Sequence, residues 1–370
     1  LNPKANRLAI FVATSGHSGV DRVITNLVSE LAARNLSIDL LHIENHGPYI
    51  QPESKNVRII NLGTSHVNTS LLPLLNYLRC VCPNALLCDK DRVNRLALLA
   101  KKLAGVPTRI VVRIGTTVSK NLERRSPWAR WSQYISMRWF YPWADAIIVP
   151  SYGAALDLSR ITRLTEDKIK VVPSPVVSAT LTQWAAEPVG HPWFAPDGVP
   201  VILGVGELCA RKDFATLIKA FAKVRQQRSS RLVILGEGRQ QERLTNLVCN
   251  LGLESHVLFG GFVTNPYAYM SKAAVFVLSS RCEGAPVVLM EALAVGLPVV
   301  STDCPSGPRE ILQNGLLGPL VPVGDVDAMA QAIISTLDTP PAAPFLKSAA
   351  APYTVAASAT QYLAALGFPG

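Results

Sequence analysis

The chain has 370 residues, 49% hydrophobic and 17% charged. That favours two globular domains, excludes disorder as the main state, and leaves no apolar run near the roughly 20 residues of a membrane span. The net charge is +10, but residues 1–175 hold 23 Lys/Arg against 12 Asp/Glu, while residues 176–370 hold 13 against 14. A basic half joined to a neutral one points to an anionic surface or substrate met by the first half.

In chain order, Leu1 starts a short polar lead, so no secretory leader is expected. Arg7–Ala13 (RLAIFVA) reads as a buried strand, followed by the turn Thr14–Gly19. Val20–Arg34 then has helical spacing and Ser37–Ile43 is strand-like. This β–turn–α–β order opens a doubly wound parallel sheet. Similar units recur at Arg109–Val112 and Ala146–Val149. From Lys90 to Arg138 there are 12 basic residues against Asp91 and Glu123.

Within that basic stretch, Ser126–Asp145 carries four of the six tryptophans. Trp128, Trp131, Ile135 and Trp139 fall on one face of a helix, flanked by Arg124, Arg125, Arg130 and Arg138. Either that face packs on its own domain, or it rests on an anionic membrane. No zinc-finger or RNA-recognition signature accompanies the charge, so nucleic acid is not an expected partner.

Val171–Pro175 and the Pro-rich stretch Pro188–Pro200 read as a boundary and linker. The α/β pattern then restarts, with strands at Val201–Val205, Arg231–Leu235, His256–Phe259, Ala274–Leu278 and Pro298–Ser301. Helices are expected at Phe214–Arg225, Gln240–Leu251 and Val287–Val295, and Thr354–Leu366 forms one last helix after a further Pro-rich break. The expected division is a first domain at 1–180, a linker at 181–200, a second domain at 201–345, and a C-terminal helix at 346–370 that packs back on the first domain. Two such sheets would present their carboxyl ends to a shared cleft, where ligands of these sheets bind.

Seven cysteines, an odd number spread along the chain, are no disulfide framework and fit a reducing cytoplasm. Cys80, Cys82 and Cys88 fit no usual zinc spacing. The dinucleotide and P-loop fingerprints are absent, which weighs against dehydrogenases and P-loop NTPases. The informative stretch is Leu278–Val300 (LSSRCEGAPVVLMEALAVGLPVV). Pro286 suits the first position of a helix, whose N-terminus offers N–H groups and a positive dipole end to a phosphate. On a continuous helix Glu283 and Glu291 would be about 12 Å apart, far enough to hold two ends of an elongated ligand. Carboxylates accept strong hydrogen bonds from sugar hydroxyls. The bare spacing equally fits a helix-start acid and a solvated surface acid.

The run S-x-x-E-G-x-P-x-x-L-x-E-A-x-A-x-G-x-P-V-V-x-T around Glu283 and Glu291 resembles the signature of retaining glycosyltransferases of family 4, which have the GT-B fold. Asp303–Ile311, Gly315–Gly324 after Gln313, Val205–Phe221 and Leu235–Gly238 resemble the same family, especially its members acting in bacterial surface-polysaccharide assembly. The likeness is dense over about 200–335 and thinner before, at the opening strand and at Ala144–Tyr152.

The resemblance implies an α/β, GT-B architecture: two Rossmann-like doubly wound domains facing across a cleft. It implies that Glu291 binds the donor ribose, Glu283 contacts the donor hexose, and Lys212, helped by Arg211, neutralises the diphosphate. Lys212 is otherwise an ordinary solvated lysine at a helix start. Gly206, Gly236, Gly238, Gly284, Ala285, Pro286 and Val287 would line the donor. Gly260–Val263, with Phe262 and Val263, would lie against the base, and Gly16 and Gly19 would approach from the first domain. Two departures stand out. Glu207 occupies a position where many members have Arg, and Ile114–Thr117 holds no histidine where many have one, leaving Arg113 to reach the cleft. His17 is the one histidine near it.

The implied activity is transfer of a hexose or N-acetylhexosamine from a nucleotide-diphosphate sugar, UDP favoured, to a glycan or lipid-linked acceptor. Retention at the anomeric carbon is implied, and no metal or other cofactor is expected. Asp325-Val326-Asp327 reads as an N-cap, not a metal cluster. The acceptor would lie on the basic first domain, with Arg113, Arg124, Arg125, Trp128 and Trp131. The protein would be cytoplasmic and peripheral at the inner face of the membrane. The competing readings are a non-catalytic sugar-nucleotide-binding partner and a GT-B nucleotide-sugar epimerase. A hydrolase using Glu283 and Glu291 as its acid/base pair fits less well, because both would lie on one side of the substrate.

Overall fold

The structure, a computed structural model, describes residues 6–13, 19–44, 46, 50, 54–123, 125–195 and 198–369. The chain divides into two compact units, Leu1–Val176 with Tyr353–Gly370, and Val177–Pro352.

Among the described residues, the first unit holds a parallel seven-stranded sheet. Its strands are β1 (Arg7–Val12), β2 (Ser37–His42), β3 (Val57–Asn61), β4 (Ala85–Asp89), β5 (Arg109–Arg113), β6 (Ala146–Val149) and β7 (Ile169–Val171). They lie in the order β3-β2-β1-β4-β5-β6-β7. A central strand of such a sheet is covered on both faces and so reads as a continuous apolar run. In β1, Ala9 and Phe11 point into one core and Leu8, Ile10 and Val12 into the other. The first core is roofed by α2 (Leu71–Val81), α3 (Asp91–Ala104), α4 (Val118–Leu122), α5 (Pro127–Phe140) and α6 (Tyr152–Thr162). The second is roofed by α1 (Gly19–Ala33) and by α15 (Val355–Leu366), which supplies Ala359, Tyr362, Leu363 and Leu366. Arg34 and Arg109 also hydrogen-bond α15, to Ala356 O and Ala365 O, both at 2.9 Å.

The second unit holds β8 (Val201–Val205), β9 (Arg231–Leu235), β10 (Val257–Gly261), β11 (Val275–Leu278), β12 (Val299–Thr302) and β13 (Leu320–Val321). Its order is β10-β9-β8-β11-β12-β13, again parallel. Its helices are α7 (Ala179–Ala185), α8 (Phe214–Gln227), α9 (Gln241–Asn250), α10 (Pro266–Lys272), α11 (Val287–Val295), α12 (Pro308–Ile311), α13 (Val326–Asp338) and α14 (Ala343–Ala349). Asp325 caps α13 by accepting from Ala328 N at 2.9 Å.

Three details differ from the sequence reading. The stretch expected as a linker, 181–200, carries most of α7 and a buried Phe194, and belongs to the second unit. Trp184 of α7 stacks near Tyr267 of α10, with ring centroids 6.2 Å apart, and Asn265 bonds Trp184 O at 2.9 Å. The Pro-rich break before the last helix holds α14, which packs on α11, so the return to the first unit comes at Tyr353 and not at 346. Pro286 is the N-cap of α11 and not its first residue.

Candidate active site

In the second unit the strand order reverses between β8 and β11, and a parallel sheet opens a ligand crevice at the carboxyl ends of such strands. The loop after β8 carries Arg211 and Lys212, and the loop after β11 carries Glu283. These three side chains meet. Lys212 Nζ donates to Glu283 Oε1 at 2.8 Å, Arg211 Nη1 lies 2.9 Å from Oε2, and Ser280 Oγ donates to Oε1 at 2.7 Å. Lys212 is buried, not a solvated helix-start lysine, and its carbonyl accepts from Ser279 Oγ at 2.8 Å. Burial alone would raise the Glu283 pKa. The charges of Lys212 and Arg211, with the hydrogen bonds from Lys212 and Ser280, outweigh it and hold the carboxyl below its ordinary range. Burial likewise disfavours the Arg211 cation, and Glu283 more than restores it. Two cations around one carboxylate leave a local charge of about +1 to receive an anion.

Glycines bring the loops after β8 and β9 into contact. Gly206 and Gly236 have φ of +154° and +131°. A Cβ on Gly236 would lie 2.1 Å from Gly206 O, and one on Gly238 2.5 Å from Leu208 O, so neither position has room for a side chain. A Cβ on Gly206 would press on the Lys212 stem at 3.1 Å. These close approaches hold Lys212 over the end of β8. Glu207 is exposed, and Arg211 pairs with Glu283 rather than with it.

Glu291 lies one turn into α11 and is 1% exposed, which corrects the solvated-acid alternative. Tyr267 of α10 donates its hydroxyl to Glu291 Oε1 at 3.0 Å. Gly284, Ala285 and Val287 lie at the entry to α11, where the first N–H groups of a helix lack intrahelical partners. Because only Val287–Val295 is helical, Glu283 and Glu291 do not share one continuous helix. The loop after β12 braces this entry. Glu283 N donates to Pro305 O at 2.8 Å, and a Cβ on Gly307 would lie 2.7 Å from Gly284 O. Phe262 is exposed and Val263 half-buried. Glu237 accepts from Phe262 N at 3.4 Å, linking the loops after β9 and β10.

In the first unit, Gly19 is the exposed first residue of α1, while Gly16, His17 and Arg124 lie outside the described residues. Arg113 is 3% exposed and does not present its guanidinium to solvent. It holds Asp89 at 2.5 Å and donates to Tyr362 of α15 at 3.0 Å. That corrects the expectation that Arg113 takes the place of the missing loop histidine. Arg125, Trp128 and Trp131 are exposed, which overturns the packed-face alternative for the tryptophans.

Sequence reasoning missed Tyr267, Asp89 and Tyr362, and gave no role to Ser280, the first residue of the run that resembles family 4, or to Glu237 within Leu235–Gly238. Among the described residues no group of three or more His, Cys, Asp or Glu could hold a metal ion, and all seven cysteines are free thiols.

Residues 18–175 match the family described as "Glycosyl transferase 4-like domain", and residues 191–351 the one described as "Glycosyl transferases group 1". A Campylobacter jejuni protein named N-acetylgalactosamine-N,N'-diacetylbacillosaminyl-diphospho-undecaprenol 4-alpha-N-acetylgalactosaminyltransferase is 30% identical over 345 residues, 90% of each chain. The chain is a family 4 glycosyltransferase with the GT-B fold. Solved structures agree on the fold. The lipopolysaccharide outer core galactosyltransferase WaaB, in its apo form, superposes with a TM-score of 0.74 at 18% identity, covering 98% of this chain and 99% of that one. Anabaena HepE, solved with UDP and glucose, superposes with a TM-score of 0.73 at 17% identity, covering 97% and 99%. The glycosyltransferase thus has its Lys212–Glu283–Arg211 cluster at the switch point of the unit that matches the group 1 family.

Proposed function

We propose that the glycosyltransferase moves a hexose or N-acetylhexosamine from UDP to a glycan or lipid-linked acceptor, with retention at the anomeric carbon, in surface-polysaccharide or lipopolysaccharide assembly. The bond from the anomeric carbon to the diphosphate breaks, the acceptor hydroxyl oxygen forms the new one, and the hydroxyl proton leaves with the departing diphosphate. The observation that carries the reading is the pair of cations on Glu283, Lys212 buried and Arg211 partly exposed. A departing diphosphate develops negative charge, and preorganised cations in a dry site stabilise it without a metal ion. Glu283 would face the hexose, Glu291 the ribose, and Phe262 and Val263 the base. The entry to α11, from Gly284 to Val287, would receive phosphate oxygens. UDP is favoured by the Anabaena neighbour solved with UDP and glucose, and the lipid-linked acceptor by the Campylobacter relative, whose name contains diphospho-undecaprenol. Such an acceptor would bring the enzyme to a membrane surface, the inner face in this reading.

The test is a thermal-shift panel of UDP, GDP, ADP and CMP on wild type and Glu291→Ala. A nucleotide at 100 times its dissociation constant stabilises by about 2.7 kcal/mol. Stabilisation by UDP alone, weakened in Glu291→Ala, is the expected result. No shift with any nucleotide would overturn the donor-site reading.

A further inference from the structure

Helix α5 places three tryptophans in solvent. At about 100° per residue, Trp128, Trp131, Ile135 and Trp139 fall within one stripe about 80° wide, and Met137 lies opposite Trp128. The fold buries the Met137 side. On that inner side Gln133 bonds Asp91 at 3.2 Å, and Tyr134 and Phe140 pack on the core. The outer stripe is bare: Trp128 is 77% exposed, Trp131 57% and Trp139 71%. Trp143, just past the helix, is 36% exposed. Single exposed apolar residues are ordinary, but a row of tryptophans about 16 Å long is not.

The surroundings indicate what covers the row. Residues 101–143 contain nine Lys/Arg and one acid, Glu123, and among the described ones of the nine only Arg113 is buried. Of the acids facing the inner side of α5, Asp91 is engaged by Arg95, Gln133 and Tyr141, and Asp157, which faces Tyr134, accepts from Ser119 N at 3.0 Å. Lys102 Nζ sits 5.5 Å from the Trp143 ring centroid, so cationic and aromatic groups share this surface. A second copy docked about a two-fold axis would bring two such basic surfaces together, which repel. Tryptophan rings prefer the level of lipid headgroups, and lysine and arginine are drawn to anionic lipid.

We propose that α5 is a membrane-docking surface that lies along an anionic bilayer with its tryptophans at headgroup depth. The purpose of this docking rests on the membrane-borne acceptor proposed above, whereas the docking itself rests on the helix. The helix would lie in the plane of the surface, because its 14 residues are too few for a span and its inner side is packed on the core.

The test is flotation with vesicles of phosphatidylcholine alone or with three-tenths phosphatidylglycerol, using wild type and the variant Trp128→Ser, Trp131→Ser, Trp139→Ser. Wild type is expected to float with the anionic vesicles and at least tenfold less with the neutral ones. Brominated lipid should quench its tryptophan fluorescence. The variant should lose at least tenfold in flotation while keeping its thermal stabilisation by UDP. Wild type that stays in the aqueous layer, or a variant that floats equally well, overturns the proposal. So does a wild-type dimer that the variant turns into a monomer in light scattering, because a second copy would then cover the row. If wild type floats but no nucleotide stabilises it, the donor reading fails and the docking stands.

Discussion

Replacing Lys212 by methionine isolates the charge at the switch point. Methionine keeps an unbranched stem of the kind that packs beside Gly206, and loses only the ammonium group. The fold should survive. Removing the partner of a buried ion costs about 3–5 kcal/mol, but Glu283 keeps Arg211 at 2.9 Å and Ser280 at 2.7 Å, so about 1–2 kcal/mol is expected here. For a unit of this size that lowers Tm by about 2–8 °C. The reaction should suffer more. Loss of one preorganised group facing developing negative charge costs about 2.7–4 kcal/mol, or roughly 100- to 1,000-fold in turnover. The assay is diphosphate release from the sugar donor at saturating acceptor, at a temperature where circular dichroism shows the variant fully folded. A turnover loss below tenfold would remove Lys212 from the departing diphosphate.

Three further outcomes follow from the same geometry. Glu283 titrates lower in the fold than its ordinary value of 4.5, so its contribution to stability is complete above about pH 4.5 and is lost as pH falls through the lowered value. Glu283→Gln should therefore flatten the loss of Tm below about pH 4.5, and an unchanged acid slope would contradict the pairing. Gly236→Ala should cost at least about 1–3 kcal/mol from backbone strain alone, before the clash with Gly206 O, and an unshifted denaturant midpoint would refute the loop contact. Tyr362→Phe removes a hydrogen bond to the Arg113 cation, worth about 1.5–3 kcal/mol, and should speed amide exchange across α15, whereas unchanged exchange would make the contact incidental.

Five of the six strands of the second unit were legible because each is a short apolar run bounded by turn residues, as at Val201–Val205 and Arg231–Leu235, both found with the expected limits, whereas the two-residue β13 was not. β3, β4 and β7 were not singled out. β4 is the five-residue run ALLCD, and so short an apolar stretch has no periodicity to distinguish strand from helix. In α5 the helical period was right, but spacing alone did not tell which way the tryptophan stripe faces. That depends on what Met137, Tyr134 and Phe140 find to pack on. Arg113 was misread because its position at the end of β5 suggests a side chain facing solvent. Its partners, Asp89 and Tyr362, come from a neighbouring strand and from a helix 249 residues away. Such pairings are set by tertiary structure and leave no local trace. Glu283 and Lys212 were named as separate contacts of one ligand, and their direct pairing emerged only when the two loops met.

The backbone N–H of Val176 donates to Tyr353 O at 3.0 Å, so the two points where the chain leaves and re-enters the first unit touch. In genetic terms, the second unit is a continuous insertion inside the first. During synthesis the ribosome completes the inserted unit while the first still lacks the strip of core that α15 supplies, so the N-terminal sheet matures last. Excising 177–352 and splicing 176 to 353 through a few residues should therefore give a self-standing seven-stranded domain. A nonsense codon before 353 should instead leave one face of that sheet covered by α1 alone while sparing the inserted unit, making the most distal part of the message the checkpoint for its earliest part.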